Sequence, residues 1–242
     1  LGMGLPVTAA YIIMAILCAP ALAGILADTL IVEQLMVGLT DPAQAAMFML
    51  VDSPHAAKVM TGMSLDEAAA LMSAVPFEVA MTMRPMLVDA EALMGFLLVA
   101  HLIIFWLSQD SNVTPPVCLA AFTAAGIAKS PPMATGFQSW KAAKGLYVVP
   151  LLFAYTPLVN GTVIEMCQVG FFALFGIYAI NAIIARFSEG PLALWHWPLL
   201  VIGAALCFVP IDLMSNIIGA MSVSIVAVLT HRRNQLFSVT PS

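Results

Sequence analysis

Long uncharged runs separated by brief polar interruptions dominate the chain. Apolar stretches cover residues 9–27, 93–107, 118–128, 146–159, 163–185, 192–209 and 211–229. Several approach the roughly 20 residues that a helix needs to cross a bilayer, so the pattern predicts membrane-crossing helices. Asn160-Gly161, residues 186–191 and Pro210 with Asp212 separate the later runs, and Pro210/Asp212 reads as a tight turn between two spans.

One interruption differs from the others. Ser108-Gln109-Asp110-Ser111-Asn112-Val113-Thr114-Pro115-Pro116-Val117 falls where 93–128 would otherwise form a single apolar span. Two prolines lack N–H groups, and Thr114, preceding them, is pushed out of helical dihedrals, so the helix must break. Irregular backbone at membrane depth persists only where it is buried in protein or lines a wet cavity. Broken helices of this kind form ion and substrate sites in many secondary transporters.

Residues 28–92 change character. Nine acidic residues (Asp28, Glu33, Asp41, Asp52, Asp66, Glu67, Glu78, Asp89 and Glu91) face only Lys58 and Arg84. A segment so charged does not cross the bilayer as a whole. Its recurrent methionines among small residues suggest short amphipathic helices packed on a membrane domain, with core filling the commoner use and a Met-rich copper site the rarer one. Ser64-Leu65-Asp66-Glu67 has the spacing of a capping box ahead of an apolar helix.

Composition agrees with the pattern. Apolar residues make up 62% of the 242 and charged ones 9%, with a mean hydropathy of +1.02. This indicates an all-α polytopic membrane protein. The net charge of −5, with no basic patch, argues against nucleic-acid binding. Cys18, Cys118, Cys167 and Cys207 stand alone in apolar segments, a pattern that indicates neither a disulfide framework nor zinc. If Lys129, Lys141 and Lys144 are cytoplasmic, four following spans place Arg186, Arg232 and Arg233 on the same side, as the positive-inside rule prefers, and residues 28–92 on the outer face.

The break supplies the candidate chemistry. Ser108, Asp110, Ser111, Asn112 and Thr114 offer hard oxygen donors of low total charge, which suit Na⁺ better than a transition metal. Asp110, an ionisable group between two spans, is a functional candidate by default, or alternatively a cap for the half-helix beginning near Pro115. His101 reads as a packing residue and His196, between Trp195 and Trp197, as part of an interfacial aromatic belt. An intramembrane enzyme using Asp110 with either histidine, or an ion channel with the break as its filter, are the alternatives to a transporter.

Gly2-Met3-Gly4-Leu5-Pro6-Val7-Thr8-Ala9-Ala10-Tyr11-Ile12 and Ser111-Asn112-Val113-Thr114-Pro115-Pro116-Val117, with Leu119–Phe122 and Ala124–Ala128, resemble the second half of the large membrane subunit of tripartite ATP-independent periplasmic (TRAP) transporters. The nearest type is the fused permease that works with TAXI-type receptors. Thr135-Gly136-Phe137, Lys144-Gly145-Leu146 and Val149–Pro157 fit the same pattern, so the resemblance covers about residues 1–160. It implies a C-terminal portion of an inverted-repeat, elevator-type permease in the bacterial inner membrane, not an enzyme and without a cofactor. Na⁺ entry would drive import of an organic acid, such as a C4-dicarboxylate or keto acid, delivered by a periplasmic solute-binding protein. The N-terminal half of the permease, including the fused small subunit, and the lipid bilayer complete the partners.

The apolar runs, the breaks and the charge pattern, with the resemblance supplying the hairpin and the ion and substrate residues, divide the chain as follows. Residues 1–27 form a re-entrant hairpin tip and arm, 28–92 an insert, 93–128 a broken transmembrane helix and 129–144 a cytoplasmic loop. Residues 145–230 hold four further transmembrane helices, and 231–242 form a cytoplasmic tail. Gly4, Pro6, Thr8, Ser111, Asn112, Thr114 and Pro115 would bind Na⁺. Thr8, Asp110, Asn112 and Thr114 would meet the substrate. On the same resemblance the first repeat would lie outside these 242 residues, and 28–92 would be longer than the usual link.

Overall fold

Apolar runs become long helices because, away from water, each backbone N–H and C=O must be bonded within its own segment. The computed structural model of the chain describes residues 5–49, 51, 54–209 and 212–238. Among these, the regular structure is helical apart from one isolated bridge between Phe187 and Pro191. Val7–Val37, Ala90–Asn112, Val163–Ala185 and Leu213–Gln235 are long and apolar enough to cross a membrane. The chain is thus an all-α protein with the helices of a multi-pass membrane protein. Gly4 and the turn at Pro210 lie outside the described residues.

Helix α1 (Val7–Val37) is continuous over 31 residues, about 46 Å at 1.5 Å per residue. Pro20 removes one backbone donor without ending it. The division expected at residue 27 therefore falls inside a helix, with Asp28 and Glu33 on its later turns. Asp28 is tolerated there because Arg84 donates to it through both Nε and Nη2, each at 2.8 Å.

Two compact units emerge, Ile13–His101 and Leu1–Ile12 with Leu102–Ser242. In the first, α2 (Pro42–Phe48), α3 (Leu65–Ala74) and α4 (Phe77–Leu87) follow α1, and the early turns of α5 (Ala90–Gln109) close the unit. Each short helix needs its first N–H groups satisfied locally. Asp41 accepts from the Ala43 N–H at 2.9 Å, and Ser64 and Glu67 form a complete capping box. These helices bury Ile31, Leu35, Phe48, Val59, Leu71 and Leu87 in one core. Met63 and Met83 help to fill that core, whereas Met60, Met81 and Met86 are exposed.

The other unit departs from expectation in two places. Residues 129–144, expected as a loop, contain α7 (Pro132–Ala142), which packs on α6 (Leu119–Ala128). Pro132 suits the first helical turn, where its missing N–H costs nothing, and a short mixed-polarity helix has no apolar run to announce it. Residues 145–230, expected to hold four further spans, hold among the described residues two helices of spanning length, α9 (Val163–Ala185) and α11 (Leu213–Ser238). Between them lies α10 (His196–Phe208), whose 13 residues extend about 20 Å, short of a hydrocarbon core of about 30 Å.

Helix α8 (Val148–Tyr155) has only eight residues. It stops because Thr156, preceding Pro157, is extended at φ −131°, ψ 159°. The chain nonetheless travels most of the length of α9. Gly145 donates to Asn181 near the end of α9, while Thr162 caps its start through a second capping box with Glu165. Those two levels lie about 27 Å apart along the helix axis. The eight residues of α8 account for about 12 Å of that and the 3-10 residues 146–147 for about 4 Å, and the irregular segment 156–161 covers the remainder.

Helices α9, α10 and α11 form the most intimate group. Asn216 near the start of α11 accepts from Gln168 near the start of α9, at 2.9 Å. At the other end the Asn234 side chain donates to the Glu189 carbonyl at 3.1 Å, and His231 lies 3.8 Å from the Glu189 carboxylate. Thus α9 and α11 run parallel, with α10 returning between them. A Cβ on Gly219 would stand 2.7 Å from the Gly203 carbonyl, so the α10 and α11 backbones approach only because both positions are glycine. The same ordering brings Arg186, Arg232 and Arg233 to one end and Glu165 and Asp212 to the other. The Gly145–Asn181 bond places Lys144 towards the basic end.

Candidate functional site

Helix α5 ends at Gln109, and Asp110–Asn112 form a single 3-10 turn. The Asp110 carbonyl closes it by accepting the N–H groups of Val113 at 3.1 Å and Thr114 at 3.0 Å. Pro115 and Pro116 then prevent any helical restart before α6 begins at Leu119. The peptide between the two prolines is cis. The break expected at this position is present.

Its hydroxyls are oriented by the backbone. Ser108, buried, donates to the Ile104 carbonyl at 2.7 Å, and Ser111 donates to the Ser108 carbonyl at 2.9 Å. A hydroxyl that donates in this way keeps its lone pairs for a cation or a further donor. Ser111, Asn112, Thr114 and Pro115 are all half-buried.

Asp110 does not cap α6. The cap residue there is Cys118, without a side-chain bond, and the Asp110 carboxylate turns instead to Tyr147. Tyr147 donates its hydroxyl proton to Oδ2 of Asp110. Having one proton, that hydroxyl must then accept from Trp140 Nε1 at 3.3 Å and from the Thr114 hydroxyl at 3.4 Å. Trp106 Nε1 donates to the Leu146 carbonyl at 2.9 Å, fixing the strand of chain that carries Tyr147. Lys144 sits 4.4 Å above the Trp140 ring. Three helix ends and a turn thus converge on one carboxylate.

The second oxygen, Asp110 Oδ1, is buried and has no hydrogen-bond partner among the described residues. A buried carboxylate oxygen without a donor carries a desolvation cost of a few kcal/mol. The arrangement is therefore incomplete until a cation, a proton or a donor group reaches it. Comparison of the chain with protein families, with curated proteins and with solved structures finds no match.

Asp110 also borders a cavity of about 360 Å³. Phe105, Trp106, Leu107 and Leu146 supply carbon walls, and Gln109 and Tyr147 supply the other polar ones. Tyr11 of α1 meets Phe105 edge-on with centroids 5.8 Å apart, so the first turns of α1 stand beside the end of α5.

The remaining expected site residues divide. Ser111, Asn112, Thr114 and Pro115 share the break with Asp110. Pro6 and Thr8 lie exposed at the start of α1, and the Pro6 carbonyl is already engaged by the Ala10 N–H at 2.9 Å. No hydrogen bond joins Thr8 to the break among the described residues. His196 is buried rather than part of an exposed belt: its Nδ1 accepts from the Ala193 N–H at 3.0 Å and its ring lies against Trp195. Among the described residues, the Asp110 carboxylate bonds to Tyr147 and to neither histidine. No group of three or more Asp, Glu, His or Cys residues is placed to hold a metal among the described residues.

Tyr147, Trp140 and Trp106 were not legible as site residues. Tyr147 lies 37 positions from Asp110 and Trp106 lies 40 from Leu146, separations that no local spacing rule links, and Trp140 enters the site only through Tyr147.

Proposed function

We propose that the chain is the membrane permease component of a sodium-coupled secondary transporter that imports organic acids delivered by a periplasmic solute-binding protein. In this reading it is the second half of an inverted-repeat, elevator-type permease of the bacterial inner membrane, with its C-terminus in the cytoplasm. The observation that carries it is the buried Oδ1 of Asp110, without a partner among the described residues, beside an interrupted helix. A polar break in an otherwise apolar segment is costly, and its use in membrane proteins is to present oxygens to an ion or substrate. The motif resemblance and the gathering of Arg186, Arg232 and Arg233 at one end support the same reading.

The test is uptake by the complete permease reconstituted with its receptor under an imposed sodium gradient. Thr114→Ala combined with Pro115→Ala is expected to abolish sodium-dependent uptake while the protein still inserts and purifies normally. Unchanged uptake by the double variant would defeat the proposal. Conductance without any receptor requirement would replace it with a channel.

A further inference from the structure

The cavity beside Asp110 has a composition that narrows what can occupy it. Among the described residues one wall is acidic and none is basic: Lys144 is held over Trp140 and does not border the space. Opposite the carboxylate stand Phe105, Trp106, Leu107 and Leu146. A bare hard cation requires a cage of oxygens, which carbon walls cannot complete. An organic ammonium is different. Its N–H groups satisfy a carboxylate, its methylenes contact aliphatic walls, and its charge is attracted by aromatic faces.

We propose that this cavity receives the protonated amine of the transported substrate, with Asp110 as its counter-ion. The assignment rests on the permease reading and narrows the cargo to an amine-bearing organic acid or a related organic ammonium. Tyr147 holds Oδ2 and thereby orients the carboxylate, while Oδ1 has no donor among the described residues. Oδ1 is covered as the site stands, so the incoming N–H reaches it by displacing the side chains that close over it. The volume of about 360 Å³ accommodates a short alkylammonium with water to spare. Sodium is left to the hydroxyl and backbone oxygens of the break itself, so the two cations need not compete for Asp110.

The probe is n-butylammonium, titrated into the purified full chain in detergent and followed by tryptophan fluorescence, since Trp106 forms part of the wall. n-Butanol, of the same shape without the charge, is the control. Butylammonium is expected to give a saturable change that n-butanol does not. Asp110→Asn, which keeps size and leaves an acceptor for Tyr147, is expected to weaken binding roughly tenfold or more. Phe105→Leu, which keeps an apolar wall but removes the aromatic face, is expected to weaken it by a smaller factor. No saturable response in the wild type, an equal response to n-butanol, or undiminished binding by Asp110→Asn overturns the assignment. If butylammonium binds through Asp110 but the complete permease shows no sodium-driven uptake, the permease reading falls and the cavity assignment stands. The reverse result overturns the cavity assignment alone.

Discussion

Replacement of Asn216 by alanine tests how the three-helix group is held together. Asn216 is 3% exposed. Its amide nitrogen donates towards the carbonyls of Leu206 at 3.0 Å, Cys207 at 3.4 Å and Val209 at 2.9 Å, while its oxygen accepts from Gln168 at 2.9 Å. The three carbonyls end α10, where no intrahelical donor remains for them. One side chain on α11 thus closes α10 and ties both to α9. Counting the three shorter bonds at about 0.6 to 1 kcal/mol each gives about 2 to 3 kcal/mol for Asn216→Ala. Asn216→Asp should cost more, because it turns an acceptor towards three acceptors. Unfolding of the chain in mixed micelles with rising dodecyl sulfate, followed by far-UV circular dichroism, measures these losses. Gln168→Ala completes a double-mutant cycle, with an expected coupling of about 0.6 kcal/mol or more. A loss below about 0.5 kcal/mol for Asn216→Ala would refute the role assigned to this residue.

Two further outcomes concern the unit Ile13–His101. Arg84→Lys should destabilise that unit by about 1 kcal/mol, because a single ammonium cannot reproduce the two-pronged contact with Asp28. Thermal unfolding of this variant, if unshifted, would show that the clamp contributes nothing. Glu67 is held down to about 2 by the Lys58 ammonium and the Ser64 N–H, against an ordinary value of 4.5. Its folded value is depressed, so its contribution is fully present above about pH 4.5 and is lost as the pH falls towards 2. A melting-temperature profile of Glu67→Gln should be flatter than that of the wild type across that window and parallel to it above; equal slopes within the window would contradict the assignment.

Local signals were legible where one segment decides its own conformation. The Ser64–Glu67 box and the break at Pro115-Pro116 both follow from residues within a few positions of each other, whose sterics and hydrogen bonds close without help from elsewhere. Thr162-Val163-Ile164-Glu165 carried the same capping signal at the head of α9 and was equally readable. Segment lengths were less secure. An apolar run at 146–159 looks like a span, yet Thr156-Pro157 stops the helix after eight residues and leaves the chain to continue irregularly. Hydropathy counts apolar residues and is silent about where a proline will interrupt them.

The sequence by itself determined an all-α membrane chain with a break in the helix that begins at Ala90, because burial of apolar side chains and the loss of proline donors are properties of the residues alone. Only the tertiary structure decided what the break faces. Asp110 meets Tyr147 across 37 positions, Trp140 and Thr114 join the same hydroxyl, and the second carboxylate oxygen has no donor among the described residues. Such contacts arise when helices pack and distant side chains are brought within 3 to 4 Å, a geometry set by many weak contacts at once and by no one stretch of chain.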